Sequence, residues 1–287
     1  MFPEYEYLYM RNITQNIYVF DGQSSFKPGF GKQYLSNPEF RLRMEEISYF
    51  AGQDLGQLAW GKRSWETSKS LKNLQITIFA LSWSLVHCLV FSNHRPTVLL
   101  GYGMGEISAL IFSGAISVSD GVNLILARGE LMEDLDRSDF QDQAGVNFPL
   151  FEEATSQFHS IIDKIQVQSP QIPFFSIEAS RILSKPQEIQ KYLKSHLSSP
   201  VFLNRAVEIF LNTPSMENCV FYEIGPSRVL KGLMIHEYPN FSISTAREYM
   251  NIARQNEKIQ GRLKNQAPHF YKPSHSMDLN LSSRLVC

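Results

Sequence analysis

The sequence predicts an α/β fold in which helices flank a mainly parallel sheet. Short apolar runs alternate along the chain with longer stretches of helical composition, which is the order that strand–helix–strand units produce. The run at residues 98–100 is apolar throughout, as expected of a strand that is covered on both faces. With 287 residues, 43% of them hydrophobic, the chain can bury a large core. An α/β chain of this length often forms a single domain.

Four runs are predicted to be strands because they are short and rich in Val, Ile, Leu, Phe or Tyr. They comprise residues 17–20, 98–100, 172–177 and 220–224. The first, second and fourth lead directly into a turn that contains glycine. These turns therefore follow the ends of predicted strands.

Longer segments with helical signals separate the strands. Asn37 and Pro38 open a helix that extends to about residue 50, and Ser119 with Asp120 is expected to cap a helix that extends to about residue 135. The other helices are predicted at residues 71–91, 107–115, 150–165, from Pro186 onward, 203–211 and from Val229 onward. Polar residues between the helices, such as those at 136–145, are expected to form surface loops.

Composition argues against several classes of partner. The formal net charge is −1 without a basic stripe, so neither nucleic acid nor an anionic membrane is expected to bind. The apolar stretch at residues 76–91 is short and is interrupted by polar residues, so we interpret it as a buried helix. The cysteines Cys88, Cys219 and Cys287 match neither a disulfide framework nor a zinc motif, and no signal peptide is evident. We therefore expect a cytoplasmic protein without a metal or cofactor.

The predicted organisation is one domain followed by a tail. Residues 1–254 are assigned to the domain, and its motifs lie within residues 17–246. Residues 255–287 are polar and lack a hydrophobic period, so we expect a flexible tail there.

The segment at residues 97–106 predicts a strand, a sharp turn and the start of a helix. This is the layout of the Gly-x-Ser-x-Gly nucleophile elbow, in which a strained turn exposes a serine hydroxyl. In this chain Gly103 stands at the position of the serine. Glycine adopts the required backbone conformation freely, so the turn is expected to persist without the nucleophile. The alternative is a nucleophile elsewhere, such as Ser108, which lies one turn further along the helix.

Five segments together resemble the malonyl-CoA:acyl-carrier-protein transacylases and the acyltransferase domains of polyketide synthases. In chain order they resemble the motifs FPGQGSQ, GHSLGE, the arginine motif, NPV and YEVGPGKVL, and they lie at residues 20–25, 101–106, 127–129, 199–201 and 221–230. The matches span residues 17–246. The resemblance implies the large α/β-hydrolase-like subdomain of the acyltransferase fold.

The resemblance also implies roles for residues at matching positions. The nucleophile position is Gly103, and the catalytic histidine position is Asn147, which cannot accept a proton at neutral pH. Gln23 and Met104 match the two residues whose backbone amides form the oxyanion hole; the alternative is a purely structural turn. Arg128 matches the arginine that pairs with the malonyl carboxylate; the alternative is an arginine held by a structural acid such as Glu106.

A further departure from the family pattern is a deletion, and one histidine remains near the predicted site. Members of this family carry a ferredoxin-like small subdomain between the arginine and the catalytic histidine, but only about twenty residues separate Arg128 from Asn147, so that subdomain is expected to be absent. His196 is the histidine nearest the predicted site. It could act as a substitute base for a hydrolytic water, or it could be a packed helix residue.

These observations lead to a primary hypothesis and two alternatives. The primary hypothesis is a catalytically inactive acyltransferase homologue of polyketide or fatty-acid biosynthesis that binds an acyl carrier protein, a ketosynthase or a sister acyltransferase. The first alternative is residual transfer from malonyl-CoA or another acyl-CoA, or hydrolysis of acyl-carrier thioesters, at a non-standard site. The second is a remnant without function.

Overall fold

The computed structural model describes residues 15–22, 26–67, 69–137, 148–177, 179–196, 208, 212 and 219–251. Within these residues the strands form one six-stranded sheet in the order β4-β3-β2-β1-β5-β6. The strands are β1 (Gln15–Phe20), β2 (Val98–Gly101), β3 (Phe174–Ser176), β4 (Arg181–Leu183), β5 (Cys219–Ile224) and β6 (Ser242–Thr245). Neighbouring strands are parallel except for β3 and β4, which confirms the predicted mainly parallel sheet.

Helices cover both faces of this sheet. The described α-helices are α1 (Pro38–Ala51), α2 (Leu55–Ala59), α3 (Ser64–Thr67), α4 (Leu71–Phe91), α5 (Met104–Phe112), α6 (Val118–Arg137), α7 (Phe148–Ile162), α8 (Pro186–Ser195) and α9 (Val229–Glu237). Along β1, Ile17 and Val19 pack in one core cluster with Met234 of α9, whereas Tyr18 and Phe20 pack in the other, larger cluster. This alternation is the two-residue period of a strand buried on both faces.

The central helix α4 explains the longest apolar stretch of the sequence. It is long and apolar enough to cross a membrane, with a mean hydropathy of 1.8, but 78% of its most apolar window is buried inside the fold. It contacts both α1 and α6. The prediction of a buried helix is therefore confirmed, and Cys88 is a buried core residue as expected.

Several helix boundaries follow from local capping. The Asn37 side chain accepts hydrogen bonds from the Glu39 and Phe40 amides, so α1 begins where the sequence predicted. The predicted cap of α6 was wrong, because Ser117 rather than Ser119 accepts a hydrogen bond from the Asp120 amide, at 3.1 Å.

Other boundaries shift by a few residues. The helix predicted at residues 107–115 is α5, which begins three residues earlier, at Met104. It also ends three residues earlier, because Gly114 has a φ of 79° and stops the helix. Similarly, α7 spans Phe148–Ile162 rather than residues 150–165. The strand predicted at 172–177 shortens to β3.

Some elements were missed and others lie outside the described residues. The edge strands β4 and β6 were not predicted because they are short and carry arginine, serine or threonine rather than an apolar run. The compact unit that contains the sheet ends at Met250. The loop predicted at 136–145 was wrong for its first two residues, because α6 extends to Arg137. The remaining loop residues 138–145, most of the predicted helix at 203–211 and the tail at 255–287 lie outside the described residues and stay predictions.

Candidate functional site

The turn between β2 and α5 has the geometry of a nucleophile elbow. Gly103 is the N-cap of α5, with φ 54° and ψ −128°, a conformation that L side chains rarely adopt. The turn is closed by hydrogen bonds from the Gly105 amide to the Tyr102 carbonyl and from the Glu106 amide to the Gly103 carbonyl. A Cβ on Gly105 would overlap the Phe20 carbonyl, so glycine there lets α5 approach β1 closely. The predicted strand–turn–helix arrangement is confirmed.

His196 covers the elbow from the end of α8. Its Nε2 lies 2.9 Å from the Gly103 carbonyl oxygen and 3.5 Å from Glu106 Oε2. Its Nδ1 accepts a hydrogen bond from Arg128 Nε at 3.4 Å. Because a carbonyl only accepts and a guanidinium only donates, the imidazole carries its proton on Nε2 and keeps its lone pair on Nδ1. Both ring nitrogens of His196 are therefore engaged within the fold.

Arg128 lies beneath this contact on α6 and is 7% exposed. Its Nη1 donates to Gln75 Oε1 of α4 at 2.9 Å, and its Nε donates to His196. Burial lowers the pKa of the Arg128 guanidinium to about 10, and the nearby Glu106 opposes that shift. The guanidinium is thus still charged at neutral pH.

Glu106 supplies the negative charge of this group. It is buried in the first turns of α5, and its Oε1 accepts a hydrogen bond from the Ile177 amide at 3.3 Å. A buried carboxylate near a buried guanidinium offsets charge that would otherwise be costly to desolvate. Glu106, Arg128, His196 and Gln75 therefore form a connected polar group beside Gly103, which we call the elbow network.

A second buried polar group lies on the other side of the elbow, where β1, β2 and β5 end. Asp21 Oδ1 lies 3.1 Å from the Tyr102 hydroxyl, and that hydroxyl lies 3.1 Å from Ser227 Oγ. Ser227 Oγ in turn lies 3.1 Å from Glu223 Oε1. Burial raises the pKa of both the Asp21 and Glu223 carboxyls, and the repulsion between them adds to the shift at Asp21. We call these four residues the acid pair network.

The structure brings together three of the residues singled out from the sequence, namely Gly103, Arg128 and His196. Met104 is the first residue of α5, where a backbone amide has no acceptor within the helix. Gln23 and Asn147 lie outside the described residues, so their roles stay predictions. The alternative nucleophile, Ser108, is buried, and its hydroxyl lies 3.4 Å from the Met104 carbonyl within α5.

Sequence reasoning missed three participants that a simple signal could have found. Gln75 is a polar residue between Leu74 and Ile76 in the apolar helix α4. Asp21 directly follows an apolar strand, and Glu223 lies within one. Polar side chains in such runs are buried and must find partners, which marks them as members of a network.

Solved malonyl transacylase and acyltransferase structures have a similar fold. The malonyl-CoA:acyl carrier protein transacylase of Xanthomonas oryzae pv. oryzae superposes with a TM-score of 0.71 at 20% identity, over 81% of this chain and 94% of that one. The acyltransferase domain from the second module of the salinomycin polyketide synthase superposes with a TM-score of 0.70 at 19% identity, over 82% of this chain and 69% of that domain structure. The chain has the acyltransferase fold. The sheet and elbow described above thus correspond to the large subdomain of acyltransferases.

Curated relatives that match part of this acyltransferase fold are large synthases. The chain is 30% identical over 118 residues to a mycocerosic acid synthase-like polyketide synthase of Mycolicibacterium smegmatis, and the match covers 40% of the chain and 6% of the synthase. It is 29% identical over 118 residues to the phthioceranic/hydroxyphthioceranic acid synthase of Mycobacterium tuberculosis. No protein-family model matches the chain.

Among the described residues, no three His, Cys, Asp or Glu side chains are grouped so that they could hold a metal ion.

Proposed function

We propose that this chain is a catalytically inactive acyltransferase homologue of polyketide or fatty-acid biosynthesis that acts by binding an acyl carrier protein or a partner synthase. The observation that carries the proposal is the elbow itself, which has the backbone geometry of a nucleophile turn but places Gly103 where the nucleophile stands. Acyl transfer through a covalent ester needs a side-chain oxygen or sulfur at that point. Glycine offers neither.

The contacts of Arg128 support loss of the acyl-binding role. In the proposed inactive protein, the guanidinium that would pair with a substrate carboxylate donates instead to Gln75 and His196, with Glu106 as the neighbouring anion. A malonyl carboxylate that paired with Nε and Nη1 of Arg128 would have to displace both of these buried contacts. We therefore expect no preference for malonyl over acetyl donors.

The connection between α6 and α7 supports the proposed loss of the small subdomain. Helix α6 ends at Arg137 and α7 begins at Phe148, so residues 138–147 are all that separates them. A ferredoxin-like subdomain contains four strands and two helices and needs far more chain. Without it, the acyl cleft would have one wall.

An acyl carrier protein is the partner that the relatives favour. One structural neighbour is a malonyl-transacylase in complex with the acyl carrier protein of a type II polyketide synthase, and it superposes with a TM-score of 0.70 at 20% identity. For the present chain we propose the same class of partner, in the cytoplasm, where thiols such as the buried Cys88 and Cys219 stay reduced.

Two assays test the proposal together. In the first, the chain is incubated with labelled malonyl-CoA and a carrier protein carrying its phosphopantetheine arm, and label on the carrier is compared with a carrier-alone control. In the second, binding of the same carrier is measured by calorimetry. The proposal predicts carrier binding without transfer. Transfer above the control would contradict inactivity, and absence of binding to carrier, ketosynthase and sister acyltransferase alike would contradict the binding role.

A second candidate, residual thioester hydrolysis, is favoured by His196, whose Nε2 lies near both Glu106 Oε2 and the Gly103 carbonyl oxygen. A carboxylate–histidine pair beside an elbow can activate water. In this chain, however, the Nε2 proton faces the carbonyl and the Nδ1 lone pair faces Arg128, so both contacts must break first. Hydrolysis of acetyl- or butyryl-carrier that is abolished in His196→Ala, but kept in His159→Ala on α7, would favour this candidate over the first.

A further inference from the structure

The acid pair network contains more hydrogen-bond contacts than its hydroxyl protons can satisfy. Its oxygens form a chain from Asp21 Oδ1 through the Tyr102 hydroxyl and Ser227 Oγ to Glu223 Oε1, with separations of 3.1 Å at each step. These three contacts need three protons, whereas the two hydroxyls supply only two. If Tyr102 donates to Asp21 and Ser227 donates to Glu223, the central contact brings two unprotonated lone pairs together.

A proton on one carboxyl completes the chain, and the surrounding amides indicate which one. Glu223 accepts hydrogen bonds from the Leu230 and Lys231 amides, at 2.9 Å and 3.2 Å. These amides lie in the first turn of α9, where the helix dipole stabilises negative charge. Asp21 accepts a single described backbone bond, from the Ser227 amide to Oδ2 at 2.7 Å, which leaves Oδ1 to carry a proton.

We propose that Asp21 is protonated at neutral pH. Its proton completes a hydrogen-bond relay in which Asp21 donates to Tyr102, Tyr102 donates to Ser227 and Ser227 donates to Glu223. This relay acts as a latch that holds the elbow to the ends of β1 and β5. Tyr102 directly precedes Gly103, so the relay fixes the residue that enters the elbow. Loss of the proton would leave two carboxylates in one buried group and open the latch. The site is therefore a pH-sensitive device within the fold, independent of the proposed carrier binding.

The charged groups around the relay do not neutralise a second carboxylate. Arg228 and Lys231, on the α9 side, turn their side chains to Glu248. On the α5 side, Glu106 faces His196 and the Ile177 amide. Among the described residues, neither Asp21 nor Glu223 contacts a cationic side chain. Keeping one carboxyl neutral is thus the arrangement that avoids a second buried negative charge without a cationic partner.

The latch predicts a definite sign for the dependence of stability on pH. Burial raises the pKa of both carboxyls, so above about pH 4 the folded chain holds a proton that the unfolded chain has released. The stabilisation is complete below the unfolded pKa and is lost as the pH rises through the raised folded pKa. Within that window, the unfolding equilibrium constant should rise by up to about tenfold per pH unit.

Asp21→Asn tests the latch because an amide NH₂ donates to Tyr102 at every pH. Urea unfolding is measured from about pH 5 to about pH 9 for the wild type, Asp21→Asn and the control Glu248→Gln, whose carboxyl has a pKa lowered to about 2 by Lys231 and Arg228 and does not titrate there. The measured quantity is the slope of the free energy of unfolding against pH. The latch predicts that Asp21→Asn loses the part of this slope that one bound proton contributes, and that Glu248→Gln keeps the wild-type slope. Equal slopes in all three proteins would overturn it.

Infrared spectroscopy of the folded protein gives a second test that does not depend on the Asp21 variant folding. The wild type should show the carbonyl stretch of a protonated carboxyl group at neutral pH. In Tyr102→Phe, the acid loses its acceptor, so this band should move to higher frequency. Absence of a protonated carboxyl band in the wild type at neutral pH would overturn the proposal.

Discussion

Gly103 has the backbone conformation of a nucleophile elbow and carries no side chain. Its φ of 54° lies where glycine is unrestricted and other residues are strained. Its carbonyl contacts His196, and its position as N-cap sets the direction of α5. A side chain placed at this position should therefore cost stability.

We expect Gly103→Ala to lower the free energy of unfolding by about 1–3 kcal/mol, the cost of a strained non-glycine residue. The matched control is Gly232→Ala in α9, where an added Cβ meets nothing within 4 Å. That change should raise stability by about 0.4–1 kcal/mol, because alanine restricts the unfolded chain and suits a helix. Urea unfolding measures both. Equal effects of the two substitutions would contradict the assigned backbone geometry.

Arg128 and Glu106 are expected to depend on each other. Arg128→Met should cost about 3–5 kcal/mol, because it leaves Glu106 as a buried charge beside an apolar side chain. Adding Glu106→Gln should recover part of that loss, which a double-mutant cycle by urea unfolding measures. Additive effects of the two changes would show that their charges do not interact.

At the residue scale, the sequence could indicate Gly103 but not its partners. The elbow motif is local, so ten consecutive residues predict the turn and its missing side chain. The elbow network, in contrast, joins Arg128 to Gln75, which is 53 residues away, and His196 to the Gly103 carbonyl, which is 93 residues away. No local pattern determines which buried polar groups meet across such distances.

At the scale of elements, strong local signals were sufficient to predict a helix or strand from the sequence, and weak signals were not. Asn37 followed by Pro38 predicted the start of α1 correctly, and apolar runs predicted β1, β2 and β5 to within two residues. The edge strands β4 and β6 carry no such run because each pairs on one side only within the described sheet. Their pairing is determined by the neighbouring strand rather than by their own composition.

The cap of α6 gives an element-scale test with a control two residues away. Ser117→Ala should cost about 1 kcal/mol, because the Asp120 amide loses its acceptor at the helix start. Ser119→Ala changes an exposed serine inside the first turn of the same helix and should change stability by less than about 0.5 kcal/mol. Thermal or urea unfolding distinguishes them. A larger effect at Ser119 would return the cap to the position that the sequence suggested.

At the scale of the whole molecule, the parallel sheet brings distant residues to one edge. The carboxyl ends of β1, β2 and β5 are neighbours, so Asp21, Tyr102 and Glu223 meet although they are widely separated in sequence. The elbow lies at the same edge. This is the edge at which open α/β sheets place their binding sites. In this chain it is occupied by two internal polar networks, one on each side of Gly103.

The central claim, that no group at the elbow can form an acyl ester, is tested most directly by the intact mass of the chain after incubation with excess malonyl-CoA. We predict an unchanged mass under conditions in which an active malonyl transacylase becomes acylated as a positive control. A stoichiometric malonyl adduct that peptide mapping locates at residues 101–106, or on any other residue of the elbow network, would contradict the account.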